Sequence, residues 1–126
     1  MGTLPNERKR TIEKARIFHV AIFVPPEHVE KVLESIVQVD PLIFGPYKRS
    51  AWWSAVGTEQ FEPMPGSEPT VGEAGKVEKV ATVRVEFAIP ADQDLLERIV
   101  SEGILPAHPW QTPAILISEA TAVMTT

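Results

Sequence analysis

Apolar and polar positions alternate with two different periods along the chain, and the switches between them mark its elements. Ile17–Val24 (IFHVAIFV) is nearly continuous apolar sequence, which predicts a central strand. Strand side chains alternate, so Phe18, Val20, Ile22 and Val24 share one face while Ile17, His19, Ala21 and Phe23 share the other. Pro25 and Pro26 close the run. Val29, Val32, Leu33, Ile36 and Val37 then recur at helical spacing opposite Glu27, Glu30, Lys31, Glu34 and Gln38, predicting a helix from Pro26 to about Val39 that Asp40-Pro41 ends. His28 falls on the polar side of its first turn and reads as a solvated residue.

From Leu42 to Gly75 the pattern loosens. The spacing predicts a strand over 49–56, a short returning strand near 58–62 and a long proline- and glycine-rich loop. Trp52 and Trp53 are adjacent, so as strand residues they point to opposite faces and cannot fill the same core. One of them meets a ligand, the loop or a neighbouring subunit, or else lies partly exposed. Lys76–Ile89 is the clearest strand, with Val83, Val85, Phe87 and Ile89 on one face and Thr82, Arg84, Glu86 and Ala88 on the other. A second helix opens at Pro90-Ala91-Asp92 and buries Leu95, Leu96, Ile99 and Val100; Gly103 reads as its C′ residue. Pro106, Pro109 and Pro113 stiffen the loop that presents His108 and Trp110 and feeds a last strand, Ala114–Ile117.

Strand-helix-strand twice over is the ferredoxin-like α+β plan: a four-stranded antiparallel sheet, two helices on one face, and here an extended hairpin and loop. Its other face is left bare. Ile17 or Phe23 and residues of the last strand would expose an apolar patch on the order of several hundred Å² in a monomer. A homo-oligomer that packs these faces together follows, with Arg84 and Glu86 pairing across the seam. The expected organisation is a mobile or loosely helical arm over 1–16, a single domain over 17–118 and a small polar tail over 119–126.

With 44% apolar and 23% charged residues and a net charge of -5, the chain has the profile of a soluble protein and not of a nucleic-acid or anionic-membrane binder. The absence of a long apolar run and of an h-region predicts a cytoplasmic protein. Cysteine is missing, which excludes disulfides, thiolate metal sites and cysteine nucleophiles. Arg8-Lys9-Arg10 could touch a phosphate, but the run is short and mixed in sign, as solvated termini are.

Several spacings together resemble a known family. Val24-Pro25-Pro26-Glu27-His28-Val29-Glu30, Gly45-x-Tyr47-x-x-x-Ala51-Trp52, Gly57 through Gly66 (GTEQFEPMPG), Gly72-x-x-Gly75-x-x-Glu78-x-Val80, and Ala107-His108-Pro109-Trp110-x-x-Pro113-Ala114 look like the YqfO-like domain, which occurs alone or inserted within the NGG-interacting-factor-three family. The His108 loop is also similar to the His-Pro-Tyr-Glu-x-Pro motif of the divalent-cation-tolerance protein CutA. The resemblance spans about residues 17 to 117. It implies a PII/CutA-like fold, oligomers that are often trimers, and no settled activity. Trp110 and Gln111 stand where that family usually has tyrosine and glutamate, Glu62 where it has arginine, and Ser50 near a common cysteine. These changes remove a carboxylate and a guanidinium from the pattern.

No phosphate-binding glycine loop, nucleophile elbow or paired zinc-ligand motif is present. His19, His28 and His108 have no metal-ligand spacing within the chain, although a symmetric trimer could gather three copies of His108 around a divalent ion. The alternative is a His108 hydrogen-bonded within its own loop. Glu59, Glu62, Glu73 and Glu78 read as solvated loop carboxylates that could serve as acids or ligands. The expected function is a non-catalytic oligomeric module, a trimer before a dimer, that binds a small molecule or metal ion at a subunit cleft through Tyr47, Trp52, Trp53, Glu59, Phe61, His108 and Trp110. A structural or protein-interaction domain is the alternative, and a hydrolase comes last.

Overall fold

A computed structural model describes residues 10–125. Its sheet has five strands: β1 (Ile12–Val24), β2 (Trp52–Trp53), β3 (Gly57–Phe61), β4 (Glu78–Pro90) and β5 (Ile115–Thr125). Neighbours run in the order β2-β4-β1-β5, with β3 also on β4, and every pairing is antiparallel. A single turn at Pro26–His28 leads into α1 (Val29–Val39). α2 (Gln93–Arg98) continues through a wider π-helical stretch, Ile99–Ile104, and a last turn at Leu105–Ala107.

The predicted faces hold. Phe18, Val20, Ile22 and Val24 of β1 and Val83, Val85, Phe87 and Ile89 of β4 are buried against Val29, Val32 and Ile36 of α1 and Leu96, Ile99 and Ile104 of the second helix. Asp92 caps that helix by accepting the Leu95 N–H at 3.1 Å, as the sequence suggests for an acidic residue before an apolar stripe. This is the ferredoxin-like α+β plan, with both helices on one side.

Four local expectations need correction. Gly103 does not end its helix: its φ lies outside the left-handed region a C′ glycine adopts, and the chain stays helical to Ala107. It is small because α1 lies on it. A Cβ there would sit 3.2 Å from Ile36 Cα, and Ser35 Oγ donates to the Gly103 carbonyl at 2.7 Å. Next, Ile12–Arg16, read as part of a loose arm, and residues 119–125, read as a polar tail, are extended: Ile12 to Arg16 pair with Thr125 to Thr121, and Ala120 and Glu119 with Ile17 and Phe18. The first strand's apolar run hides this, because the added pairs mix charged, small and apolar residues. Met1–Lys9, including most of the basic cluster, lies outside the described residues. Then Arg84 and Glu86, expected to pair across a subunit seam, pair within the chain at 3.4 Å, because residues two apart on a strand share a face; Glu86 also meets His19 Nε2 at 3.2 Å.

Last, the strand expected over 49–56 shrinks to Trp52–Trp53, and the strand expected near 58–62, found at Gly57–Phe61, does not return against it but lies along the same edge of β4. Trp53 pairs with Val85 and Gly57 with Thr82, so this edge holds one more residue than β4 does over the same span, a β-bulge. Ser54 bridges the gap. Its N–H donates to the Arg84 carbonyl at 3.0 Å, and its hydroxyl accepts the Arg84 N–H at 2.9 Å in place of a strand carbonyl.

Gly103→Ala is expected to destabilise the domain by about 1–3 kcal/mol, as overpacked core sites do. An unchanged denaturant midpoint would show that α1 yields freely at this contact.

Candidate functional site

β4 begins at Glu78 but first meets β1 where Val83 pairs with Val24, so Glu78–Thr82 and their partner β3 overhang the end of β1. The segment from His108 to Ala114 passes that end before β5 begins, held by Phe23 N–H donating to the Ala114 carbonyl at 3.2 Å. Overhang and loop therefore face each other.

His108 pins the loop to the core. It is buried, and its Nε2 lies 2.8 Å from the Phe23 carbonyl while its Nδ1 accepts the Trp110 N–H at 3.1 Å. A carbonyl only accepts and an amide N–H only donates, so the proton sits on Nε2 and the imidazole is neutral. Burial pushes its pKa below the ordinary 6.5; the Phe23 carbonyl opposes that shift, and nearby His28 adds to it. His28 is half-buried, with Nδ1 covered, Glu27 Oε1 3.7 Å from it and no hydrogen bond made, and is not the solvated residue its helical position suggests. With both His108 nitrogens engaged in their own chain, no lone pair is left for a metal ion in this arrangement. Among the described residues, no three or more of His, Asp or Glu group in a way that could hold one.

Trp110 packs on the His108 ring at 5.5 Å and on Phe61 at 6.1 Å between centroids. The Phe61 and Trp110 rings form part of the wall of a cavity of about 620 Å³ between the His108 loop and the loop after β3. That second loop is pinched at its neck by the Gly75 N–H donating to the Pro63 carbonyl at 2.8 Å. Gly66, Gly72 and Gly75 have φ of 86°, 88° and 82°, a region other residues seldom adopt, which accounts for the glycine spacing. Glu59 stands between this cavity and a smaller one, about 300 Å³, lined by Phe23, Thr82 and Arg84. Burial raises the Glu59 carboxyl above its ordinary value, opposed by a hydrogen bond from Thr82. Glu59 Oε1 is covered and accepts no hydrogen bond.

Of the residues expected to gather, Glu59, Phe61 and Trp110 share the large cavity, with His108 behind Trp110. Tyr47, Trp52 and Trp53 do not line it and are exposed elsewhere. Trp52 lies opposite Glu86 and Trp53 opposite Val85, on the two faces of the sheet. Sequence reasoning missed Pro63, Val71 and Pro113 as wall residues; only the density of proline and glycine marked them.

Comparison with known proteins places this geometry. No family model matches the chain. Over 93 residues, 74% of the chain, it is 38% identical to the GTP cyclohydrolase 1 type 2 homolog of Mycobacterium leprae, and it spans only 23% of that protein. A Bacillus cereus protein related to NIF3 superposes with a TM-score of 0.69 at 27% identity, over 86% of this chain and 26% of that one. The chain thus resembles one segment of a longer protein in each case. Two further structures share the fold alone. Ehrlichia chaffeensis CutA1 has a TM-score of 0.54 at 16% identity, covering 82% of this chain and 80% of its own. Bacillus subtilis GlnK in its ATP complex has 0.51 at 13%, covering 83% of each. The chain spans about a quarter of the length of the curated relatives it matches, and it has the same fold as CutA1 and GlnK. Among the described residues, no helix is long and apolar enough to cross a membrane.

Because the folded pKa of His108 is depressed, the stability it contributes is full above the ordinary imidazole value and is lost as pH falls through the lower folded one. Denaturant midpoints measured from pH 7.5 to 5 should fall in the unmodified chain and fall less in His108→Gln. At pH 7.5 that variant should be less stable by about 1–3 kcal/mol, the usual cost of stranding a buried partner.

Proposed function

We propose that this domain is a non-catalytic, oligomeric binding module that takes a small ligand between the His108 loop and the loop after β3. The cavity carries the reading. At about 620 Å³ it is of ligand size, it is walled by Phe61, Trp110 and prolines on two stiffened loops, and one of its lining residues, Glu59, has a carboxylate oxygen that none of the described residues satisfies. A divalent metal ion is the alternative occupant; it would require several copies of His108 to release Trp110 and converge.

Assembly is supported by what the sheet leaves uncovered. β5 is an edge strand with Glu119 as its one charged residue and no proline, and its Leu116 is 53% exposed on the face away from the helices. Beyond Ile17, where β4 ends its pairing, β1 and β5 continue as a two-stranded ribbon, a form with little stability of its own in water. Native sheets rarely leave such an edge open. Copies of the chain packed along β5 and the bare face would cover both, and we favour a trimer over a dimer. The protein-interaction reading draws on a different surface, the exposed Ile43, Phe44, Tyr47, Trp52 and Trp53.

Two measurements test the module. Light scattering at micromolar concentration should give a multiple of the 13.9 kDa chain mass, and Leu116→Asp should return it toward a folded single chain; a monomeric unmodified chain would remove the assembly. A thermal-shift screen with metabolites, nucleotides and divalent metals should find a compound that raises Tm in the unmodified chain and not in Trp110→Leu. A screen in which nothing raises Tm would overturn ligand binding.

A further inference from the structure

The large cavity is unusual in its charge. Among the described residues, Glu59 and Glu68 line it, and no lysine, arginine or histidine does. A phosphate or carboxylate placed there would meet two like charges and no counter-charge. Arg84 lies on the other side of Glu59, in the smaller cavity, where Nε faces Glu86 Oε1 at 3.4 Å and the guanidinium lies over the Phe23 ring at 5.8 Å. Its charge is partly answered and its position is wrong for the larger space.

What the larger space offers is the reverse of an anion site. Phe61 and Trp110 present aromatic surface, Pro63, Val71 and Pro113 add apolar wall, and Glu59 brings a carboxylate whose Oε1 accepts from none of the described residues. A buried polar atom in a native protein ordinarily has a partner, so an unanswered acceptor on a residue that lines a cavity of mixed aromatic, proline and polar wall specifies a donor. Aromatic faces attract cations, and a carboxylate with reduced access to water does so more strongly than one in solvent. The raised Glu59 pKa agrees, since it marks a negative charge with too little compensation.

We propose that the cavity selects protonated amines: an ammonium N–H donates to the Glu59 carboxylate while the apolar or aromatic body of the amine packs on Trp110 and Phe61. This rests on the ligand-binding reading above and narrows it to one chemical class, opposite in charge to the ATP of the GlnK complex.

The test uses ligands that share a body and differ in the head: phenethylamine, its uncharged counterpart 2-phenylethanol and its anionic counterpart 3-phenylpropanoate, with tyramine, spermidine and ATP added. The chain has three tryptophans, and Trp52→Phe/Trp53→Phe leaves Trp110 as the sole emitter without touching the cavity. At millimolar ligand, at least one amine should change Trp110 emission and raise Tm. Its uncharged and anionic counterparts should bind at least tenfold more weakly, and Glu59→Gln should weaken the amine at least tenfold while remaining folded by circular dichroism. If Glu59→Gln fails to fold, the matched heads still decide on the unmodified cavity. Equal binding of amine and alcohol, or binding of ATP or the propanoate without any amine, overturns the charge selectivity and leaves ligand binding standing. No response to any head group overturns both.

Discussion

Hydrogen bonding of β1 along both edges is the constraint on which the rest of the structure depends. β4 takes one edge and β5 the other. With both backbone edges committed, Val20, Ile22 and Val24 are driven without exposed surface into the helices. The pairing also fixes where β1 stops. Val24 is the last residue paired, the prolines that follow turn the chain into α1, and the Phe23 carbonyl at this end is the acceptor His108 uses. The sheet's central strand and the cavity wall are therefore joined by one hydrogen bond between a neutral imidazole and a main-chain oxygen.

The parts of this arrangement that follow from period were readable in the sequence. Alternation over 83–89 and the stripe from Val29 to Val37 named the buried face correctly, because burying those residues is the largest favourable term and leaves a regular trace. Gly103 shows where such reading stops. A glycine near the end of a helical stripe has two physical uses, a left-handed terminus or close approach of another backbone, and the choice is made by α1, some 70 residues earlier. The ribbon at both ends of the chain escaped for a related reason: Lys14 and Arg16 read as solvent-exposed whether or not a strand partner lies beside them.

The candidate site was half legible. His108, Trp110, Glu59 and Phe61 stood out as chemically able residues near stiff or glycine-marked chain, and they do come together. Tyr47, Trp52 and Trp53 stood out for the same reason and do not. Aromatic content says that a side chain has surface to offer, and only the register of β2 and β3 on β4 decides which surface it joins. The departures from the family pattern at Trp110 and Gln111 likewise acquire meaning from geometry, since Trp110 spans from the His108 ring to Phe61 and forms a wall.

The extra residue in the β2–β3 edge sets the parity of β3. Paired residues in an antiparallel ladder share a side, so Gly57, Glu59 and Phe61 lie on the side of Thr82, away from the helices. A ladder of this sequence that continued the register of Trp53 with Val85 without a bulge would give that side to Val56, Thr58 and Gln60 instead. Carboxylate and ring would then leave the cavity together. Removing one of the three residues between Trp53 and Gly57 does not have that effect, because it equalises the two strands and keeps Gly57 opposite Thr82. What the bulge absorbs is a surplus residue, and the chemistry of the wall survives it.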